Sequence, residues 1–292
     1  MKKLLAEYEN YLKTSMSNNT VDSYIRDITK FLNEAGVHKK RELSLLDEQN
    51  VNKYIDSLIK KGSAYASAAR SVVSLRNFFN FCFDNKVLKS VVNVNLEIPV
   101  QKRPLPDTIS FEEVVAILDS PDAKTVKGMR DKALLELMYA TGAKVSEIIS
   151  LRITDIGLKN EIVVISSAKK NRFVPMGKAC VEALSLYLKE GRPKIPSAES
   201  TDKLFVNFYG EPLSRQGCWK IIKKYIEKAG VRGNVTAQTI RHSFALHLLS
   251  NGADAQSVSE MMGYSDVYST KIYMDVLNNK IKNVYKNSHP RA

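Results

Sequence analysis

Pro99, Pro104 and Pro106 fall within eight residues of one another, and Lys102, Arg103 and Asp107 stand between and after them. Proline has no amide hydrogen to donate and its ring clashes with the preceding turn, so no helix runs through such a stretch. The charges keep it in water. The segment 99–108 is therefore expected to be an extended linker. It separates residues 1–98 from residues 109–292, and each of these stretches is long enough to bury a core of its own.

The N-terminal stretch reads as helices. Leu4, Leu5, Tyr8, Tyr11 and Leu12 recur at helical spacing, and a polar break, Ser15 to Asn19, follows. Thr20 is placed to cap a second helix carrying Val21, Tyr24, Ile25, Ile28, Phe31 and Leu32. Val51, Tyr54, Ile55, Leu58 and Ile59 mark a third helix ending near Gly62. The fourth, from about Tyr65 to Phe83, divides into two faces. Ala68, Val72, Leu75, Phe79 and Cys82 form an apolar stripe, while Ser67, Arg70, Ser74 and Asn77 lie opposite. A small, basic, hydroxyl-rich face of that kind fits a major groove and can reach phosphates or base edges. A plain solvated face has the same composition.

The C-terminal stretch is helical with one β interruption. Ser110-Phe111-Glu112-Glu113 predicts a helix start with acids at the positive end of the dipole. An apolar helix follows over about 128–139, broken by Thr141-Gly142, and the next starts near Lys144 and ends before Asp155. The runs 161–165 and 172–176 flank a polar turn, which predicts a hairpin. Helices are expected over about 178–190, 214–229, 237–250, 255–262 and 266–285.

Charge narrows the partners. Lysine and arginine number 44 against 31 acids, a net +13. The surplus is +4 over residues 1–100 and +9 over the remainder, so it is spread through folded sequence and not held in a tail. Such a balance favours a polyanion, nucleic acid above all. Cys82, Cys180 and Cys218 form no CxxC pair, and His38, His242, His247 and His289 are scattered. Neither a disulfide framework nor a metal site is expected. Glu7, Glu9 and Asn10 cut short the apolar start at Leu4-Leu5, and no stretch approaches the roughly 20 apolar residues of a membrane span. The expected location is the cytoplasm.

Chemistry on a phosphodiester needs an attacking hydroxyl, cations for the non-bridging oxygens and groups that move protons. Gln238 and Arg241 share one face at the start of the helix that Thr236 can cap, beside amides that themselves favour phosphate. Ile240, Phe244 and Leu248 anchor its other side. His242 lies about 100° round the helix from Arg241 and is read as a structural residue. Tyr273 follows Arg241 by thirty-two residues, in Tyr264-Ser265-Asp266-Val267-Tyr268-Ser269-Thr270-Lys271-Ile272-Tyr273. Packing with Tyr268, Ile272 and Val276 is its ordinary reading.

These segments carry a resemblance. Arg130 to Glu147, Ile240 to Leu249, and Met262-Gly263-Tyr264-Ser265-Asp266 look like successive boxes of the Xer-type tyrosine recombinases of the phage integrase family. His289-Pro290-Arg291-Ala292 is similar to the family's terminus. Residues 4–98 resemble its helical, SAM-like core-binding domain, with Asn19-Thr20 followed by Tyr24, Arg26 and Asp27. The resemblance covers nearly the whole chain in order. It implies a mainly α protein with a small β-hairpin or sheet in the C-terminal domain, built as a two-domain DNA clamp. It further implies a domain 1–98 that binds DNA, the linker 99–108 and a catalytic-type domain 109–292. Strand exchange through a phosphotyrosyl bond at Tyr273, within a homo- or hetero-tetramer on double-stranded DNA, follows from it, with no metal or nucleotide cofactor.

The resemblance is uneven where the chemistry lies. The family pattern has arginine at Lys144, lysine at Ser167, histidine at Gln238, and histidine or tryptophan at Tyr264. Arg241 and Tyr273 match unchanged. Lys144 keeps a charge but not the planar fork; Gln238 donates a hydrogen bond but shuttles no proton near neutral pH. Tyr264 offers an O–H in place of a ring N–H. Lys169 and Lys170, at the hairpin tip, are the candidates to replace the lost lysine. Arg172 and Arg215 join Ser67, Arg70, Ser74 and Asn77 as candidate DNA contacts. Two expectations stay open: a recombinase that cleaves, or a silent DNA-binding partner of an active one.

Overall fold

A computed structural model describes residues 1–61, 65–94, 105–167, 171–264 and 266–277. The chain divides into two units, Met1–Arg103 and Pro104–Ala292. Residues 99–104 of the expected linker lie outside the described residues, and 105–108 belong to no helix or strand.

In the first unit four helices share one core: α1 (Lys2–Lys13), α2 (Asn18–Glu34), α3 (Glu48–Lys60) and α4 (Tyr65–Asp84). The apolar positions that recur at helical spacing are the buried ones, among them Tyr8, Leu12, Ile28, Phe31, Ile55, Leu75 and Phe79. Phe31 stands edge-on to Tyr54 and Phe79, at centroid distances of 5.2 and 6.0 Å. Pairs of this geometry contribute about 0.5–1.5 kcal/mol beyond their buried area. Ser17, and not Thr20, caps α2, its hydroxyl accepting from the Thr20 amide. The same chemistry was available one turn earlier, so the helix takes in Asn18, Asn19 and Thr20 as its first turn.

The face of α4 expected to stay open is narrower than its periodicity implies. Because α4 packs against both α2 and α3, Ser74 is fully buried, its hydroxyl donating to the Ser71 carbonyl at 3.0 Å. Ser74 is therefore no DNA contact. Asn77 accepts a hydrogen bond from the Tyr8 hydroxyl at 2.9 Å. Arg70 grips both carboxylate oxygens of Asp27, at 2.8 and 3.0 Å, while its side chain stays partly in solvent. Ser67 is half-buried.

The second unit opens with α5 (Phe111–Asp119), where Ser110 and Glu113 form a reciprocal capping pair. Its centre is α6 (Val126–Thr141), buried on nearly every side, including Arg130 and Asp131. A helix enclosed all round has no polar face to show; its buried charges instead satisfy one another. Arg130 Nη2 donates to Asp131 at 2.7 Å, and the Tyr225 hydroxyl donates to the other Asp131 oxygen at 2.9 Å. Gly142 ends α6 in the left-handed conformation, φ +57°.

After α7 (Val145–Ser150) come three antiparallel strands in the order β1-β2-β3: β1 (Ile156–Gly157), β2 (Ile162–Ile165) and β3 (Arg172–Pro175). The hairpin pairs Val163 with Val174 and Ile165 with Arg172. Val163, Ile165 and Val174 point into the core. The short β1 was not foreseen, since two residues carry no periodicity. Then follow α8 (Lys178–Leu186), α9 (Arg215–Lys228), α10 (Ala237–Ser250) and α11 (Ala255–Met262). Residues 268–277 are helical and are called α12. The remainder of the helix expected over 266–285, from residue 278, lies outside the described residues, as does the terminal His289 to Ala292. No helix among the described residues is long and apolar enough to cross a membrane.

Candidate active site

Thr236 caps α10 by accepting from the Thr239 amide, which aims the first turn of that helix at the loop between α6 and α7. Arg241, one turn in, is buried there. Its Nη1 donates to the carbonyl of Gly142, and its Nη2 to the carbonyl of Met262 at 2.7 Å. The guanidinium also lies over the Tyr264 ring, 5.2 Å from its centroid. Two segments far apart in sequence, the loop at Gly142 and residues 262–264, are thereby tied to one cation on α10. Two of the five N–H groups are spent on carbonyls, so others remain for an anion.

Both glycines near this knot are required by geometry. A Cβ on Gly142 would sit 2.3 Å from the Phe244 ring, and one on Gly263, φ +68°, would sit 2.8 Å from Arg172 Nη1.

A cleft of about 420 Å³ opens beside Arg241. Lys144, Arg215, Trp219, Gln238 and Tyr264 share its wall with Arg241, and no carboxylate is among the described residues that line it. Three cations on one concave surface, Lys144, Arg215 and Arg241, concentrate a field that draws in phosphate. Lys144, at the N-cap of α7, and Arg215, in the first turn of α9, are both exposed there.

Arg172 is not part of that wall. Its guanidinium pairs with Glu147 through both nitrogens, Nη1–Oε1 at 3.0 Å and Nη2–Oε2 at 2.7 Å, while Nε donates to the Met261 carbonyl at 2.8 Å. Both side chains are nearly closed off from solvent, which removes Arg172 from the DNA contacts expected of it. It staples β3 to α7 and α11 instead. Burial works against the Glu147 charge, but hydrogen bonds from Arg172 and the Lys144 amide hold the carboxyl below the usual carboxylate range.

Tyr273, on α12, is fully buried. Its hydroxyl lies 2.6 Å from His242 Nδ1 and 2.9 Å from the Tyr264 hydroxyl. Burial, and then the hydrogen bond and charge of Tyr264, push that hydroxyl far above the ordinary phenol range. His242 Nε2 lies in turn 3.0 Å from Gln238 Nε2. Burial, and next the Arg241 guanidinium, hold the imidazole below its ordinary value, with Asp107 opposing.

The residues expected at the site therefore divide. Arg241, Lys144, Gln238, Tyr264 and Tyr273 are brought together, with Arg215 on the same wall. Lys169 and Lys170 lie outside the described residues, and Ser167, at the end of β2, is exposed. His242, read from sequence as structural, touches the Tyr273 hydroxyl; its signal was the four-residue spacing from Gln238, which puts the two on one helical face. Trp219 was missed, although it follows Arg215 by the same spacing. Among the described residues no group of three or more histidine, cysteine or acidic side chains is placed to hold a metal ion.

Residues 107–280 match the Phage integrase family, and residues 5–86 match the Phage integrase N-terminal SAM-like domain. The chain is 38% identical over 295 residues to Tyrosine recombinase XerD of Staphylococcus epidermidis, each chain being covered in full. Against Tyrosine recombinase XerD of Staphylococcus aureus the identity is 37%, again over the whole of both chains. In fold it is similar to the XerH site-specific recombinase bound to difH substrate, with TM-score 0.71, 22% identity, and 94% of this chain and 82% of that one covered. It is likewise similar to a lambda integrase(75-356) dimer bound to a COC' core site, with TM-score 0.68, 15% identity and 94% of each chain covered.

Proposed function

The chain belongs to the phage integrase family of tyrosine recombinases, and on that footing we propose that it binds duplex DNA and cuts and rejoins strands through Tyr273. The tyrosine oxygen attacks phosphorus, a 3′-phosphotyrosyl bond forms, and the 5′ oxygen leaves; attack by a 5′ hydroxyl on that bond reverses the step. The observation that carries this reading is the juxtaposition of Tyr273, Tyr264 and buried Arg241 beside a cleft whose charged lining, among the described residues, is Lys144, Arg215 and Arg241.

Arg241 and Lys144 neutralise the non-bridging oxygens, Arg241 as a preorganised fork and Lys144 as a mobile point charge. Lys169 and Lys170 are the groups proposed to protonate the leaving oxygen. Arg215 on one unit, with Ser67 and Arg70 on the other, are the proposed contacts to the duplex. In this reading residues 1–98 form the core-binding domain, 99–108 the linker and 109–292 the catalytic-type domain. The full-length likeness to XerD proteins supports site-specific recombination; the proposed setting is the cytoplasm and the proposed assembly a homo- or hetero-tetramer on DNA.

A second reading has its own support: the same scaffold as a silent DNA-binding partner of an active recombinase. Tyr273 is fully buried and its proton is held tightly, while Lys144, Ser167 and Gln238 stand where the family pattern has arginine, lysine and histidine. Losing one positioned donor costs about 10²–10³ in rate and losing a proton-transfer group about 10²–10⁴.

A nicked suicide duplex, in which the cut fragment diffuses away, separates the two. Covalent protein–DNA adduct on a denaturing gel, absent in Tyr273→Phe, supports the enzyme. Tight binding without adduct supports the silent partner.

A further inference from the structure

We propose that His242 is the proton acceptor for Tyr273, and that the Gln238 side-chain amide selects the imidazole tautomer in which it can serve. The proposal rests on the reading that Tyr273 attacks phosphorus.

A phenol needs a base within hydrogen-bond reach to become a nucleophile. Among the described residues, two groups are within reach of the Tyr273 hydroxyl: the Tyr264 hydroxyl at 2.9 Å and His242 Nδ1 at 2.6 Å. Tyr264 is itself a phenol and gains nothing by taking the proton. His242 is neutral at physiological pH, since burial and Arg241 both disfavour the imidazolium. Of the two, it is the group with a basic lone pair to offer.

Whether that lone pair sits on Nδ1 depends on Gln238. In the arrangement observed, the Gln238 amide nitrogen faces His242 Nε2 at 3.0 Å. An amide NH₂ only donates, so Nε2 accepts and the ring proton sits on Nδ1, where it points at the Tyr273 oxygen. That is an idle state. Turning the amide by about 180° presents its oxygen instead; it accepts from Nε2–H and leaves Nδ1 open to the Tyr273 proton. The rotation changes almost no volume, and Gln238 is exposed enough to make it.

The charges around the ring make DNA the trigger. The groups facing His242 are Arg241 and Gln238 on its own helix, Tyr273 on α12, and Asp107 from the segment before α5. Burial depresses His242 most and the Arg241 charge adds to it; a phosphate bound at Arg241 cancels that added part, and so strengthens the base when substrate arrives. The step then balances. The Tyr273 proton passes to Nδ1, the tyrosine oxygen bonds to phosphorus, the P–O5′ pair leaves on O5′, and O5′ takes a proton from the leaving-group acid proposed above.

The test uses the full chain and the duplex site it selects from a random-sequence pool, nicked and carrying a 5′-bridging sulfur at the scissile position. Sulfur leaves as thiolate without a proton, so capture reports the nucleophile side alone. Wild type is expected to form adduct, with an acid limb below pH 6.5. His242→Ala is expected to slow capture by about 10²–10⁴ with unchanged DNA affinity and melting. His242→Asn, which can hydrogen-bond but accept no proton near neutrality, is expected to stay slow. Gln238→Glu, read by the position of its acid limb and not by its rate, is expected to move that limb up by about 1–3 pH units. Independently of DNA, ¹⁵N spectra of the imidazole are expected to change tautomer ratio in Gln238→Glu and to shift in Tyr273→Phe. Adduct formation that ignores His242→Ala, or that Asn restores, overturns this proposal alone. No adduct from wild type on the sulfur substrate overturns the cleavage reading, and this proposal with it.

Discussion

Arg172 and Glu147, twenty-five residues apart, meet through two parallel N–H···O contacts of 3.0 and 2.7 Å. The pair binds the hairpin to the helix whose N-cap is Lys144. A cation that sequence assigns to DNA is thus spent on holding the site together, and the cations proposed for DNA on this unit are Lys144, Arg215 and Arg241 along the cleft.

Arg172→Ala would strand a nearly enclosed carboxylate, a loss of about 3–5 kcal/mol for a buried pair. The sign with pH follows from the depressed Glu147 value: the pair's contribution is full above the ordinary carboxyl value of 4.5 and fades as pH falls through the lower folded one. Denaturant melts of wild type and variant are therefore expected to differ most near neutrality and to converge in acid. A constant difference down to pH 3 would show that the charge pair is not the cause.

Binding to duplex DNA is expected to weaken steeply with salt, because phosphate contacts release counterions. Arg215→Ala is expected to lower the slope of log affinity against log salt by about one, since Arg215 is exposed on the cationic wall. Ser74→Ala, inside the core, is expected to leave that slope alone. Titrations that give Arg215→Ala the wild-type slope would remove it from the interface.

Most helices, their caps and the hairpin were legible because they are local: Ser110 with Glu113, Thr236 with the α10 amides, and Gly142 at the end of α6 all act within four residues. Partners at long range were not. Ser74 looked exposed because α4 was read as packing on one side, while two helices cover it. Asn77 meets Tyr8 across sixty-nine residues, and nothing near Arg172 in sequence announces Glu147. At the site, Arg241 and Tyr273 could be picked out by residue type and spacing. His242 lies about 100° round the helix from Arg241, and α12 approaches α10 from that side, which nothing local in the sequence announces.

Gly142→Ala is expected to damage fold and site together. Alanine at φ +57° costs about 1–2 kcal/mol, and its methyl, 2.3 Å from the Phe244 ring, adds about 1–3 kcal/mol of overpacking. The Gly142 carbonyl that anchors Arg241 would move with it. A melt lowered by about 2–5 kcal/mol, with loss of DNA capture in the surviving folded fraction, is the expected result. Full capture at wild-type stability would mean that the loop yields without disturbing Arg241.

Restoring the family residues asks whether only chemistry separates this chain from a fast recombinase. The combined variant Lys144→Arg, Ser167→Lys, Gln238→His and Tyr264→His keeps Arg241 and Tyr273, so phosphate anchor and nucleophile stay in place. Capture is expected to rise by at least about 10², with each single change giving much less, since groups that act as one unit are strongly non-additive. The structure adds a cost at one position. Tyr264→His removes the ring beneath the Arg241 guanidinium and the hydroxyl 2.9 Å from Tyr273. That single change alone is therefore expected to lower stability, and to free the Tyr273 hydroxyl from one of its two partners. Rates on the same nicked duplex, with Tyr273→Phe in the restored background as the zero, decide the matter. Robust capture by wild type, matched by the restored protein, would mean that Lys144, Tyr264 and Gln238 already form a working site. A silent wild type beside an active restored protein would establish the partner role. Silence in both, despite tight binding, would place the defect in the burial of Tyr273 on α12 and not in the substituted groups.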